Sequence, residues 1–143
     1  MQILLLGAGG IIIIVLDLSL VGLVESKTNV KELKEKVREF CEDRDWGKYH
    51  NAKDLAIGIT TESAELLDHF RFKSEAEVEQ MLNDPSKKAE ISDEMADTLY
   101  FLLRLAQRYD IDLVEALNKK MVKNKKKYPI EKVRGSNKKY MEL

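Results

Sequence analysis

Two pairs of acidic residues stand three positions apart in segments that otherwise have the composition of buried helices. Glu62 and Glu65 lie in "TTESAELLDHF", and Glu94 and Asp97 lie in "EISDEMADTLYFLLRLA". Residues at i and i+3 share one face of a helix, about one turn apart. Packed helices have axes about 8–10 Å apart, so two such helices side by side would bring four carboxylates into one small volume.

A divalent cation would make such a cluster tolerable. Four like charges at this range shift one another's pKa and cost stability when no cation is bound. Oxygen ligands without His or Cys indicate Mg²⁺, with Mn²⁺ possible, rather than zinc. Each pair taken alone is more simply a solvated helix face. Both pairs border the apolar stripe of a long helix, and this favours the metal interpretation.

A basic stripe further along the chain suits the phosphates that such a cation would accompany. Lys120, Asn124 and Lys127 recur at i, i+4 and i+7. Mg²⁺ is usually held by one or two carboxylates together with substrate phosphates, and lysines neutralise the remaining charge. The stripe could equally be a solvated basic face near a helix C-terminus, where the helix dipole favours cations.

Length and composition predict one all-α domain. The 143 residues are 44% hydrophobic and 34% charged, with two prolines and seven glycines, so helix formers dominate. The net charge of −1 gives no bulk attraction to nucleic acid or to an anionic membrane. Cys41 is the single cysteine, which excludes an intramolecular disulfide and a Cys-based zinc site and fits a reducing, cytoplasmic location.

Capping residues and apolar periodicity predict an antiparallel bundle of about four main helices. They cover about residues 30–40, 52–72, 87–109 and 112–127, and a short helix begins at Ser74. On the longest helix, the residues expected to face inward are Ile91, Met95, Leu99, Leu102 and Leu105. Four helices with one acidic face leave too little interior for a self-contained core, so we expect a dimer or tetramer.

The first 26 residues form a hydrophobic segment distinct from the rest. Within "MQILLLGAGGIIIIVLDLSLVGLV" Asp17 is the only charge, and the stretch is long enough to cross a bilayer. A secretory signal would have basic residues before its apolar run, and this segment has none there. A membrane anchor, a hydrophobic arm buried in an oligomer and an appended segment all remain open. Residues 27–129 would form the helical domain that carries both acidic pairs, and residues 130–143 a basic C-terminal tail.

Several separated motifs carry a family resemblance. The E-x-x-E and E-x-x-D pairs are accompanied by "RDWGKYH" before the first pair, "EMADTLYFLLRLA" around the second and "IDLVEALNKKMVKNKKKYP" after it. This pattern resembles the MazG-like all-α nucleoside triphosphate pyrophosphohydrolases, in particular the small single-domain branch that includes the dCTP pyrophosphatases. The likeness covers roughly residues 30–143.

The resemblance implies cleavage of a nucleoside triphosphate between its α and β phosphates, which releases the monophosphate and pyrophosphate. It also implies a dimer, or a dimer of dimers, in which helices of neighbouring chains help to build each site. The site residues that it implies fall into three groups: Glu62, Glu65, Glu94 and Asp97 for Mg²⁺, Lys120, Asn124 and Lys127 for phosphates, and Trp46 and Phe72 for the base. Among the carboxylates, our choice for orienting the attacking water is Glu65.

Two departures from the family pattern bear on base preference. Phe72 stands where a tryptophan is expected, and Asp54 stands where asparagine is common. The resemblance implies dCTP or another deoxynucleoside triphosphate as the substrate, and these two departures leave the preferred base open.

Two other classes of function stay open. One is a non-catalytic helical module whose acidic cluster binds a cation, with residues 1–24 as a possible membrane tether. The other is a nucleic-acid binder that uses the basic segments 119–127 and 132–139. A net charge near zero and the lack of an aromatic-rich basic platform count against nucleic acid as a partner.

Overall fold

The computed structural model describes residues 5–7, 10–12 and 28–142. In residues 28–142 the α-helices are α1 Val30–Glu42, α2 Ala52–Phe70, α3 Glu75–Asn83, α4 Pro85–Arg108, α5 Leu113–Lys127 and α6 Ile130–Val133. Short 3-10 turns occupy Trp46–Tyr49 and Tyr140–Glu142. The predicted all-α class is confirmed for this part of the chain, and α6 and the second 3-10 turn lie within the predicted tail.

Two three-residue strands lie in the N-terminal segment. Strand β1, Leu5–Gly7, pairs antiparallel with β2, Gly10–Ile12, and Leu6 stands opposite Ile11. The rest of residues 1–26 lies outside the described residues, so the choice among anchor, arm and appendage stays a prediction. None of the described helices has the length and apolar character needed to span a membrane.

Local capping signals set most helix starts. The side chain of Asn29 accepts a hydrogen bond from the Glu32 N–H at 3.0 Å, and that of Asp112 accepts one from the Glu115 N–H at 2.9 Å. Ser74 opens α3 with a reciprocal capping box. These groups satisfy N–H donors that the first turn of a helix leaves unpaired.

Three helix limits differ from the prediction by two residues. Helix α1 ends at Glu42, two residues late. Helix α4 begins at Pro85, two residues early. The Asp84 side chain accepts hydrogen bonds from the N–H groups of Ser86 and Lys87, and Pro85 at the first helical position has no N–H that needs a partner. Helix α2 ends at Phe70, two residues early, because Arg71 leaves the helical region with a ψ of 129° and Phe72 then adopts a positive φ of 60°.

Helix α4 is the centre of the fold. Helix α2 packs along it most extensively, and α1 and α3 also pack against it. In residues 28–142 the buried side chains are Cys41, Leu55, Ile91, Leu103, Arg104 and Ala106. Gly58 lets α2 approach α4 closely, because a Cβ at this position would lie 2.6 Å from the ring of Phe101.

Part of the predicted inward stripe of α4 is wrong for the single chain. Met95, Leu99 and Leu102 are exposed, whereas Leu103 and Ala106 are buried. The reason is that α4 is apolar on more than one side, and periodicity identifies apolar positions without showing which side another helix covers.

Helix α5 packs extensively on none of the other described helices, and Leu117 and Met121 on it are exposed.

Candidate active site

Three of the predicted carboxylates converge where α2 and α4 pack together. Glu62 and Glu65 come from α2 and Glu94 from α4, and one carboxylate oxygen of each lies within 4.8 Å of the others. Glu62 and Glu94 are half-buried, and Glu65 is exposed. The i, i+3 spacing places both α2 acids on the side that meets α4, as the sequence predicts.

Asp97 falls outside this group of three but acts on it electrostatically. Burial raises the pKa of Glu62, and the charges of Glu65, Asp97 and Glu94 raise it further. Among the residues that the structure describes, none of these four carboxylates is in an ion pair with Lys, Arg or His. The cluster is thus a concentration of negative charge without a protein cation to offset it.

The donor set fits a hard divalent cation. Mg²⁺ and Mn²⁺ prefer carboxylate oxygen, and one ion can bridge three carboxylates whose oxygens lie this close together. A bound cation would also remove the repulsion that raises the pKa of Glu62.

The three predicted phosphate ligands make no direct bond to the acids within the single chain. Lys120 and Lys127 are exposed on α5, and Asn124 is half-buried. Within residues 28–142 no hydrogen bond or ion pair joins them to the carboxylate cluster. The ammonium of Lys127 instead lies 4.7 Å from the centre of the Tyr140 ring.

The two predicted base-binding aromatics lie at opposite ends of α2. Trp46 precedes the helix and packs edge-on against Phe40 and His50, at 5.7 and 6.1 Å between ring centres. Phe72 follows the helix, and its side chain is 92% exposed, with the Arg71 guanidinium 4.8 Å from its ring centre. The 19 residues of α2 span about 28 Å at 1.5 Å per residue, so the two rings do not flank one base in a single chain.

A buried arginine near Trp46 was not predicted from the sequence. Arg104 is 1% exposed; its Nε–H donates to Nδ1 of His50 at 3.2 Å, and its Nη1–H donates to Oε1 of Gln107 at 2.6 Å. Burial, then the charges of Arg104 and Arg108, lower the pKa of His50. The available signal was an arginine within the apolar run "FLLRLA".

Comparison with known proteins places this arrangement in a family. The profile of the MazG-like family matches residues 57–143. The chain is 36% identical over 105 residues to dCTP pyrophosphatase 1 of Rattus norvegicus, covering 73% of this chain and 62% of the relative. It is 31% identical over 118 residues to dCTP pyrophosphatase 1 of Bos taurus, covering 82% of this chain and 70% of that one.

A solved structure supports the same assignment of fold. A pyrophosphatase from Archaeoglobus fulgidus superposes with a TM-score of 0.65 and 42% sequence identity, covering 69% of this chain and 91% of that one. The matched region spans 62% of the length of the rat and mouse relatives, so part of each relative has no counterpart in the match.

Proposed function

Because the chain belongs to the MazG-like family, we propose that it is a Mg²⁺-dependent nucleoside triphosphate pyrophosphohydrolase. The substrate is dCTP or another deoxynucleoside triphosphate, and the products are the monophosphate and pyrophosphate. The observation that carries the proposal is the cluster of Glu62, Glu65 and Glu94, which two packed helices form without a protein cation among the described residues. The names of the relatives support the choice of substrate class.

The proposed reaction is attack of water on the α-phosphorus. The bond from this phosphorus to the oxygen that bridges the α and β phosphates breaks, and pyrophosphate leaves. Mg²⁺ held by Glu62, Glu65 and Glu94, with the charge of Asp97 also acting on the cluster, would neutralise phosphate charge and lower the pKa of water. Glu65, the exposed member of the cluster, orients the attacking water in line with the leaving group.

The α5 stripe supplies the groups that hold the phosphates in this proposal. Lys120 and Lys127 neutralise phosphate charge, and the Asn124 amide donates a hydrogen bond to a phosphate oxygen. Trp46 and Phe72 offer ring faces for stacking on the base. Stacking tolerates every base, so preference among bases depends on hydrogen bonds and on the size of the pocket.

A shared site follows from the separation of these residues. In one chain Trp46 and Phe72 lie beyond opposite ends of α2, a helix about 28 Å long, and α5 has no extensive packing. We therefore include a dimer or tetramer in the proposal, in which each site takes Phe72 and the α5 stripe from a neighbouring chain. The exposed apolar residues Leu117 and Met121 on α5 support an interface along this helix.

A hydrolysis assay tests the proposed reaction directly. The purified protein is incubated with each of the four deoxynucleoside and four ribonucleoside triphosphates, with and without Mg²⁺, and the products are separated. We expect the monophosphate and pyrophosphate in equimolar amounts, only with the metal, and with deoxynucleotides favoured. Release of inorganic phosphate alone would contradict cleavage between the α and β phosphates, and the absence of any product would favour the non-catalytic cation-binding module.

Matched variants connect the activity to the cluster. Glu62→Gln should abolish hydrolysis while the helical content stays unchanged, because it removes one ligand charge without a change of size. Glu79→Gln, the same exchange at an exposed position on α3, is the control and should retain full activity. Equal activity in both variants would contradict the assignment of the metal site.

Mixed assemblies test whether the site is shared. In a symmetric dimer, a Trp46→Ala chain paired with a Phe72→Ala chain has one doubly altered site and one site with both aromatic residues. We expect activity to rise above that of either variant after the two are mixed, unfolded and refolded together. If the mixture shows only the mean of the two separate activities, both rings come from one chain or do not act together.

A further inference from the structure

Arg104 is the one buried charged side chain in residues 28–142. Its observed partners, His50 and Gln107, are both neutral acceptors. No carboxylate lies within ion-pair distance of it in the part of the chain that the structure describes. Burial of a cation without a counter-charge is costly, so a leucine would serve a merely structural role at this position better.

The bond to His50 fixes the protonation state of the imidazole. Nδ1 accepts the Arg104 Nε–H at 3.2 Å, so this nitrogen carries no proton and the proton of the neutral ring is on Nε2. The charged groups that act on His50 are Arg104 and Arg108 of α4, and both oppose its protonation. In the preceding turn Lys48 pairs with Asp45 at 2.7 Å.

His50 is in turn part of the surroundings of Trp46. Its ring centre lies 6.1 Å from that of Trp46, with the ring planes at 69°. Trp46 rests edge-on against Phe40 on α1, and 38% of its surface is exposed. Within the described residues, Nε2 of His50 has no hydrogen-bond partner, so its N–H remains free to bind a ligand.

We propose that Arg104 is a positioning residue for the nucleotide: it holds His50 as the Nε2–H tautomer beside Trp46, so that the base platform carries one fixed hydrogen-bond donor. The inference rests on the proposed function, since Trp46 is a base-binding residue only there. The fixed donor would favour a base or sugar that presents an acceptor to it. Without Arg104 the imidazole could adopt either tautomer, and the donor would be present only part of the time.

A measurement without nucleotide tests the first half of the proposal. The chain has two histidines, so the long-range ¹H–¹⁵N spectrum of the imidazoles contains two spin systems, which His69→Gln assigns. We expect His50 to be the Nε2–H tautomer at neutral pH. A proton on Nδ1 in the unaltered protein would overturn the proposal, whether or not any variant folds.

Variants separate the hydrogen bond from the charge. Arg104→Met should populate both tautomers of His50 and raise its pKa, because the donor and one repelling cation are lost. Arg108→Met, one turn further along α4, removes a cation without removing that bond, so it should raise the pKa and keep the Nε2–H tautomer. If both variants leave the tautomer unchanged, Arg104 does not position His50.

A double-mutant cycle tests the second half with the active enzyme. We expect Arg104→Met to raise KM about 3- to 10-fold, as loss of one hydrogen bond would, with kcat nearly unchanged. In a His50→Ala background the same substitution should have little further effect on KM, because Arg104 acts through His50. Equal effects in the two backgrounds would mean that Arg104 acts only on the fold and would overturn the proposal. A protein that hydrolyses no triphosphate would overturn the proposed function instead, and the tautomer measurement would still be valid.

Discussion

Phe72 combines a strained backbone with a side chain that contributes almost nothing to the core. Its φ of 60° lies in the left-handed region, which costs a residue with a Cβ roughly 1–2 kcal/mol. Its ring is 92% exposed, so burial does not offset that cost. Strain without a packing reason is typical of positions that serve a ligand.

Phe72→Gly should therefore stabilise the fold and impair the enzyme. We expect the free energy of unfolding to rise by about 1 kcal/mol in urea titrations, because glycine adopts a positive φ without strain. KM for the triphosphate should rise, since the stacking surface is lost. Asp110→Gly is the control: it relieves the backbone strain of a similar φ, 50°, without removing an aromatic ring, so it should leave KM unchanged. A Phe72→Gly enzyme with unaltered KM would remove Phe72 from the base site.

Glu62 makes the stability of the metal-free protein depend on pH. Burial and the charges of Glu65, Asp97 and Glu94 raise its pKa above the ordinary 4.5, so the native state holds this proton to higher pH than the unfolded state does. Stability is therefore lost as pH rises from 4.5 through the raised pKa of Glu62. Glu62→Gln removes this loss.

The melting temperature measured in EDTA should show the difference. Glu62→Gln should melt above the unaltered protein at pH 7, and the gap should narrow as the pH falls below 4.5, where both forms are uncharged at this position. With saturating Mg²⁺ the order should reverse at pH 7, because the metal stabilises only the protein with its full ligand set. A gap that stays constant across pH would contradict the electrostatic explanation.

At the level of the elements, the contact between α2 and α4 depends on the absence of a side chain at Gly58. A Cβ there would lie 2.6 Å from two ring carbons of Phe101, closer than real Cβ contacts come. We expect Gly58→Ala to lower the free energy of unfolding by about 1–3 kcal/mol, as overpacking of a core does. Gly47→Ala is a matched control, because its new Cβ would meet only Nη1 of Arg108, at an ordinary 3.8 Å. Equal urea midpoints for the two variants would show that Phe101 moves aside freely.

The helices could be predicted from the sequence because their limits are set locally. Asn29, Ser74 and Asp112 cap the next turn of their own chain segment, and such signals are visible within four residues. The end of α2 was missed because nothing local in "HFRFK" requires a left-handed residue at Phe72.

The same difference between local and long-range signals applies to the candidate site. The convergence of Glu62, Glu65 and Glu94 follows from helical spacing together with the packing of two helices, and it could be predicted. The bond from Arg104 to His50 joins residues 54 positions apart, and no periodicity encodes it. Whether an apolar stripe such as Met95 and Leu99 is covered depends on the neighbouring element or chain, which a pattern within one helix does not show.

For the whole molecule, the uncovered apolar surface is the feature to test. Leu117 is a large apolar residue on α5, and 61% of its surface is exposed. We expect Leu117→Lys to shift the molar mass in light scattering from that of the oligomer to that of the monomer, because it places a charge in the interface. Activity should fall with it. Lys123→Glu, a charge change on another face of α5, is the control; an unaltered mass for Leu117→Lys would place the interface elsewhere.

If the site is shared between chains as proposed, the length of α2 makes activity depend on protein concentration. Because Trp46 and Phe72 lie beyond opposite ends of this helix, which is about 28 Å long, a dissociated chain would keep its carboxylates but would have only one ring for each base. Specific activity should then decline on dilution below the dissociation constant, and saturating substrate should restore it by holding two chains together. At concentrations below the dissociation constant, the rate of hydrolysis would rise more steeply than the amount of protein, so a fall in expression would lower the rate more than proportionally.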